Sequence, residues 1–156
     1  MGTTLAEVAR HSDLAVAEAR AQLTSAVRQA AASGMTQTQI AKQTGRSQPE
    51  IHRLLHFHGK SPLARRLRHH ATEVRQLIAK ANGCNVRVFG SVATGKDHNH
   101  SDIDLLFTMK APLSLMQLEA LQQQISQLVG AEVDLLPDSA LHPELRDRIL
   151  SEAVPL

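Results

Sequence analysis

The sequence of 156 residues contains little cysteine and few large aromatic residues, and these shortages exclude several classes of protein. Cys84 is the single cysteine, so neither an internal disulfide nor a multi-cysteine zinc site can form. Three Phe, with no Tyr or Trp, are too few to stack successive bases of a single-stranded nucleic acid. No apolar run approaches the ~20 residues of a membrane span, and the N-terminus lacks the basic start and apolar stretch of a signal peptide. We therefore expect a cytoplasmic protein without a membrane-spanning segment.

The formal net charge of +2 hides a strong asymmetry between the two halves of the chain. Residues 1–83 carry 12 basic and 5 acidic side chains, whereas residues 84–156 carry 5 basic and 10 acidic ones. A basic half joined to an acidic half indicates two sites with different partners.

The basic half has the pattern of three helices. The Ala-rich segment 13–33 has apolar residues at helical spacing, and Gly34 is placed to end it. Thr36 and Ser47 can each cap a short helix, because a Gln or a Glu follows three residues later and completes a capping box. Gly45 lies between these two helices, where it can supply the positive φ of a tight turn.

Residues 37–55, QTQIAKQTGRSQPEIHRLL, resemble the helix-turn-helix of phage-repressor-type regulators. The resemblance implies that the second helix enters the major groove of double-stranded DNA, and that the protein is a homodimer that reads paired half-sites. The residues placed to contact DNA are then Arg46, Ser47, Gln48, His52 and Arg53. An ordinary helical hairpin or a dimerisation module remains the alternative.

The turn-forming run at residues 59–62, GKSP, is the predicted junction, so the expected domains are residues 1–59 and 60–156. The apolar stripe from Leu63 to Ile78 then predicts one helix that ends near residues 82–83. The acidic half reads as strands and helices in alternation. Strands are expected at residues 86–89, 101–107 and 131–136, and helices at residues 92–94, 113–129 and 143–153.

Two carboxylates two residues apart mark the predicted second strand. Asp102 and Asp104 should project to one face of it, while Ile103 points into the core. Asp134 lies in a similar apolar strand and can complete the site from a neighbouring position. Because like charges held together are costly unless cations neutralise them, and Mg²⁺ prefers hard oxygen ligands, this pattern predicts a magnesium site.

A phosphate-binding turn is predicted beside the aspartates. Gly90 and Ser91 lie where a strand gives way to a helix, so backbone N–H groups and the Ser91 hydroxyl can hold triphosphate oxygens. With Asp102, Asp104 and Asp134, this turn forms the predicted site.

The motif formed by residues 90–95, GSVATG, and residues 101–105, SDIDL, with Asp134 further on, resembles the minimal nucleotidyltransferase group of the DNA polymerase beta superfamily. The resemblance implies transfer of a nucleoside monophosphate from ATP or another NTP, with two Mg²⁺ ions. Asp102 and Asp104 would bind both metals, and Asp134 would ligate the catalytic metal and help to deprotonate the acceptor hydroxyl. The implied nucleotide-binding residues are Gly90, Ser91, Gly95, Lys96 and Ser101. Lys96 is included because many members carry an Arg where Val92 or Thr94 stands; His98 or His100, when protonated, could also take that role.

The expected fold is α+β, with an N-terminal all-α helix-turn-helix domain followed by a small α/β nucleotidyltransferase domain that has a short mixed sheet. Since the chain ends about twenty residues after Asp134, no acceptor domain is expected, and the acceptor should come from another protein. The family resemblance implies an antitoxin that transfers AMP to a hydroxyl of a HEPN-type toxin and represses its own operon. The alternative is a helix-turn-helix transcriptional regulator with a non-catalytic nucleotide-sensing domain; a small-molecule nucleotidyltransferase is disfavoured.

Overall fold

The computed structural model describes residues 2–156. These residues divide into two compact units, and the boundary along the chain falls between Leu55 and His56. Phe57 is already buried in the core of the second unit, and its N–H donates to the carbonyl of Pro155 at 2.9 Å. The packing boundary therefore precedes the junction expected at residues 59–62. The assignment of residues 1–59 and 60–156 to separate functional domains stays a prediction. Within residues 2–156, no helix is both long and apolar enough to cross a membrane.

The first unit consists of three helices around a small apolar core. Val27, Ile40 and Ile51, one from each helix, are buried together. The helices are α1 (Leu5–Ala32), α2 (Gln37–Thr44) and α3 (Gln48–Leu55).

Helix α1 begins eight residues before the start predicted from the sequence. Thr4 caps it through a complete capping box with Glu7, and the helix continues through the Ala-rich stretch that follows. The expected start near residue 13 was wrong because the capping box lies further upstream, and the Ala-rich sequence after it has a high helix propensity. Residues 5–22 of α1 are all exposed, and only its last third contributes to the core.

The local signals in α2 and α3 are confirmed. The Thr36 side chain accepts from the Gln39 N–H and completes the predicted capping box, and the Ser47 hydroxyl accepts from the Glu50 N–H at 3.3 Å. Gly45 adopts a left-handed conformation with φ of 66° between the two helices. These residues form a helix, a tight turn and a second helix.

The second unit is an α+β structure built on a mixed four-stranded sheet. Its strands are β1 (Gly83–Phe89), β2 (Ile103–Met109), β3 (Val133–Pro137) and β4 (Val154–Pro155), in the spatial order β3-β2-β1-β4. Strands β1 and β2 are antiparallel, β2 and β3 are parallel, and β4 pairs antiparallel with β1. The expected fold class of this part is confirmed. Its helices are α4 (Pro62–His69), α5 (Ala71–Lys80), α6 (Gly90–Thr94), α7 (Leu115–Val129) and α8 (Pro143–Glu152), with a 3₁₀ turn at Asp138–Ala140.

Several elements of this unit differ from the sequence prediction. Strand β1 begins at residue 83 and not 86, β2 at residue 103 and not 101, and β3 at residue 133 and not 131, and the 3₁₀ turn was not predicted. Asp102 therefore precedes the strand on which it was expected. The single helix expected after residue 62 is broken at His70, whose ψ of 11° departs from helical geometry, into α4 and α5. The apolar stripe nevertheless faces one core on both sides of the break, because Leu67 of α4 and Val74 of α5 are buried in the same cluster. Strand β4 was not predicted, since two residues are too few to show a periodic pattern.

The central strand β2 is buried on both faces, and this arrangement positions the site. Ile103, Leu105 and Phe107 point into the main core, whereas Leu106 packs with Leu141 and with Ile149 of α8 on the other face. Because side chains alternate along a strand, Asp104 lies on the same face of the sheet as Leu106, the face that α8 covers.

Candidate active site

Asp104 and Asp134 lie next to each other on adjacent strands. The parallel register of β2 and β3 pairs Ile103 with Val133 and Asp104 with Asp134, so the two carboxylates project from the same face of the sheet. Asp102 comes immediately before β2. The structure therefore places Asp104 beside Asp134, and the charges of both Asp134 and Asp102 act on Asp104.

The electrostatics of this face centre on Asp104. The pKa of its carboxyl group is raised to about 6, first by burial and then by the charges of Asp134, Asp102 and Glu152, in that order. Asp102 and Asp134 are exposed, whereas Asp104 is half-buried. Negative charge is therefore concentrated at one edge of the sheet, and the three charges that shift the pKa of Asp104 are all acidic.

The donor chemistry of the three aspartates fits a divalent cation. Carboxylate oxygens are the ligands that Mg²⁺ prefers, and a bound cation would favour the charged form of Asp104 that burial disfavours. In residues 2–156, no three His, Cys, Asp or Glu side chains already surround a common ion position. The fit therefore rests on the type of donor and on the mutual effect of the charges.

The Gly90-Ser91 turn is in direct contact with Asp104. Gly90 has a φ of 72°, and a Cβ atom placed on it would overlap the Oδ2 atom of Asp104. Both the backbone conformation and the close approach therefore require glycine at this position. Helix α6 starts here and ends at Gly95, whose φ is 76° and whose N–H donates to the Ser91 carbonyl.

The remaining candidate nucleotide-binding residues lie in and around the loop after α6. Ser91 is half-buried, and Lys96 is exposed with its backbone N–H donating to the Ser91 carbonyl at 2.9 Å. The Ser101 hydroxyl accepts from the His98 N–H at 2.9 Å, and the Ser101 N–H donates to the His98 carbonyl at 3.0 Å. Ser101 therefore closes the loop that leads into Asp102.

Glu152 is a member of this site that the sequence analysis missed. Its Oε2 atom accepts from the N–H of Gly90 at 3.3 Å, and its charge acts on Asp104. It is the last residue of α8 and lies 62 positions from Gly90 along the chain. The pairing of β4 with β1 brings it there, and no motif in the sequence indicated that pairing.

In the first unit, the candidate DNA-binding residues share one property. All of them are exposed, while Ile51 on the opposite side of α3 is buried. They lie on α3 and the turn before it, and comprise Arg46, Ser47, Gln48, His52 and Arg53.

Comparison with known proteins bears on the second unit. A family model described as nucleotidyltransferase domain matches residues 67–156, which is more than half of the chain. A Methanocaldococcus jannaschii protein named "putative protein adenylyltransferase" is 42% identical over 67 residues, covering 43% of this chain and 72% of that protein.

Two solved structures have a similar fold. One, described as a "putative minimal nucleotidyltransferase", has a TM-score of 0.53 and 38% sequence identity, covering 58% of this chain and 92% of that chain. The other, a toxin-antitoxin crystal structure with AMP-PNP, has a TM-score of 0.50 at 20% identity, covers 54% of this chain and 69% of that chain, and shows the fold alone. With the match over residues 67–156, the chain belongs to the nucleotidyltransferase domain family and is an enzyme of that type.

Proposed function

We propose that the chain transfers a nucleoside monophosphate, AMP from ATP in the first instance, to a hydroxyl group of a partner protein. The observation that carries this proposal is the pairing of Asp104 with Asp134 on a face where Gly90 contacts Asp104. This arrangement supports the proposal because transfer of a nucleotidyl group needs metal-binding carboxylates next to groups that hold the phosphates.

In the proposed reaction, each group of the site has a separate task. Asp102 and Asp104 would hold Mg²⁺, two ions in all with the help of Asp134, and the bound metal supplies positive charge to the phosphates. Ser91 and the backbone of the turn bind phosphate oxygens, and Lys96 adds a cation from the loop. Gly95 lets α6 end in the left-handed conformation, and Ser101 fixes the approach to Asp102.

Asp134 is the proposed acceptor of the proton. It is exposed, so an acceptor hydroxyl from another protein can reach it. As the hydroxyl oxygen bonds to the α-phosphorus, its proton passes to Asp134 and the bond from the α-phosphorus to the leaving pyrophosphate breaks. The products are the nucleotidylated partner and pyrophosphate.

The proposed acceptor is a HEPN-type toxin, with this chain as its antitoxin. The name of the Methanocaldococcus jannaschii relative supports a protein acceptor, and the toxin-antitoxin structure with AMP-PNP supports an adenine nucleotide. No residue of this chain identifies the toxin, so its identity must come from a neighbouring gene.

We further propose that the first unit is a helix-turn-helix that binds operator DNA as a homodimer. The left-handed turn at Gly45 and the exposed side of α3 support DNA binding. Exposed apolar side chains on α1, including Leu5 and Leu14, support association of two copies. Repression of the chain's own operon would then connect the two units in function.

Transfer of radiolabel from α-labelled ATP tests the proposed reaction. The protein is incubated with Mg²⁺ and the purified product of the adjacent gene, and we expect label on that partner. The double variant Asp102→Asn/Asp104→Asn should lose transfer, while the control Asp147→Asn, an exposed position on α8, should retain it. Nucleotide binding without transfer to any partner would instead favour a transcriptional regulator that senses nucleotide.

A further inference from the structure

We propose that Glu152 is a positioning residue that holds the Gly90-Ser91 turn in the orientation needed to bind the nucleotide. This inference rests on the proposed role of that turn in phosphate binding. Its basis is the hydrogen bond of 3.3 Å in which the Gly90 N–H donates to the Glu152 Oε2 atom.

The sheet itself places Glu152 opposite Gly90. Strand β4 pairs antiparallel with β1, with Val154 opposite Val88 and Pro155 opposite Arg87. Continuing this register by two residues puts Glu152 opposite Gly90, where β1 ends and α6 begins. The carboxylate therefore takes the place that a backbone carbonyl of β4 would have in a longer ladder.

The segment after Glu152 is anchored by three further hydrogen bonds. The Leu156 N–H donates to the Val86 carbonyl at 3.0 Å, and the Arg75 guanidinium donates to the Leu156 carbonyl at 2.8 Å. The Pro155 carbonyl accepts from the Phe57 N–H. On the other side of Glu152, Ile149 is buried under the sheet. Glu152 thus lies between α8 and the segment that contains β4, which are both anchored to the sheet. It can therefore restrain the Gly90-Ser91 turn that it contacts.

The contact determines which N–H groups of α6 remain for a ligand. The first N–H groups of a helix have no partner within the helix. Because the Gly90 N–H donates to Glu152, it is not available to a phosphate oxygen, and the proposed phosphate contacts of the turn are left to Ser91 and the backbone that follows. Gly90 also touches Asp104, so a shift of the turn would move both the phosphate-binding backbone and a carboxylate of the site.

The acceptor atom of Glu152, more than its charge, carries this role. Glu152 is the smallest of the causes that raise the pKa of Asp104, so removal of its charge should change Asp104 little. A glutamine side chain keeps an oxygen acceptor at nearly the same position. The proposal therefore predicts that Glu152→Gln preserves the function that Glu152→Ala loses.

Nucleotide binding in three variants tests the proposal. Calorimetry with Mg²⁺ and a non-hydrolysable ATP analogue should show binding about tenfold weaker in Glu152→Ala, the effect of losing one hydrogen bond to a charged group. Glu152→Gln should bind within about threefold of wild type on the same scale. Glu144→Ala, at the exposed start of the same helix, is the control and should not differ from wild type. In transfer assays, Glu152→Ala should raise KM for ATP more than it lowers kcat.

Hydrogen exchange of the Gly90 amide, followed by NMR in the ligand-free protein, tests the same contact without nucleotide. The amide should be protected in wild type and in Glu152→Gln, and should exchange at least about tenfold faster in Glu152→Ala. Unchanged exchange in Glu152→Ala, wild-type nucleotide affinity in that variant, or equal loss in Glu152→Gln would each overturn the proposal. Absence of nucleotide binding in wild type would contradict the proposed function, whereas the exchange rates would still decide whether Glu152 holds the turn.

Discussion

Asp104 lies directly opposite Asp134 in the parallel pairing of β2 with β3. Neither strand alone makes a site, since each supplies one carboxylate to the shared face. The pairing places these like charges near each other beside the backbone of Gly90. Burial of Asp104 and repulsion from the neighbouring carboxylates together raise its pKa to about 6. The charged form of Asp104 should therefore destabilise the ligand-free protein, and a bound cation should reduce this effect. Both effects can be measured as changes in the free energy of unfolding.

The stability of the ligand-free protein should depend on the charge of Asp104. Its pKa is about 6 in the folded protein against an ordinary value of 3.8, so the folded state retains its proton to higher pH. The unfolding free energy should therefore fall as pH rises from about 4 to 6 and then level off. Asp104→Asn should be more stable than wild type at pH 8 by about 1 kcal/mol, because solvent at this half-buried position screens the charges.

Urea unfolding of both proteins between pH 4 and pH 8, in the presence of a chelator, measures this difference. The stabilisation of Asp104→Asn should shrink as the pH falls towards 4, where Asp104 of wild type is neutral in the folded protein. A stability difference between Asp104→Asn and wild type that stays constant from pH 4 to pH 8 would contradict a raised pKa at Asp104.

Bound Mg²⁺ should offset the destabilisation caused by the charged form of Asp104. Because a metal ligand must be deprotonated, protons compete with Mg²⁺ for Asp104 near its pKa of about 6. We expect Mg²⁺ to raise the melting temperature more at pH 8 than at pH 5, and removal of the metal with a chelator to lower it again. Asp104→Asn should show little response at either pH, and an equal response of wild type and variant would exclude Asp104 as a ligand.

Gly90→Ala and Gly95→Ala form a matched pair at the two ends of α6. Both glycines have a positive φ, 72° and 76°, so each substitution should cost about 1 kcal/mol of stability from backbone strain. Only at Gly90 would the added Cβ overlap Asp104, whereas nothing lies within 4 Å of it at Gly95. Gly90→Ala should therefore lower the affinity for Mg²⁺ and nucleotide much more than Gly95→Ala, as calorimetry can measure. Equal effects would mean that the contact with Asp104 has no functional role.

Binding of the first unit to DNA should depend on salt through Arg46 and Arg53. If each contacts one phosphate, the double alanine variant should lower the slope of log affinity against log salt by about 2. The control is Arg10→Ala/Arg20→Ala, two exposed positions on α1 outside the candidate surface. Fluorescence anisotropy on a duplex containing the chain's own promoter measures both slopes, and identical slopes for the two variants would argue against α3 as the reading helix.

Local signals were sufficient to predict much of the site. The alternation of apolar and acidic residues in β2 predicted that Asp104 leaves the core while Ile103 enters it, and the structure confirms this placement. The capping box at Thr36 and the left-handed turn at Gly45 were likewise readable, because each depends on residues only a few positions apart.

The features that the sequence did not reveal depend on contacts between distant segments. Glu152 reaches Gly90 through the antiparallel register of β4, a strand of two residues that carries no periodic signal. The break at His70 is a change of backbone dihedral angles, and the apolar stripe continues on both sides of it. The spacing of hydrophobic residues therefore cannot locate the break. The early start of α1, by contrast, depends on a local signal, the capping box of Thr4 and Glu7.

Asp134→Asn provides the most direct test of the account, because it separates binding from chemistry. Single-turnover transfer from ATP to the partner protein should be at least about a hundredfold slower in this variant, as expected for loss of a general base. Its affinity for Mg²⁺ and an ATP analogue should fall far less, since Asp102 and Asp104 remain to hold the metal. Transfer at the wild-type rate by Asp134→Asn would contradict the proposed nucleotidyltransferase site.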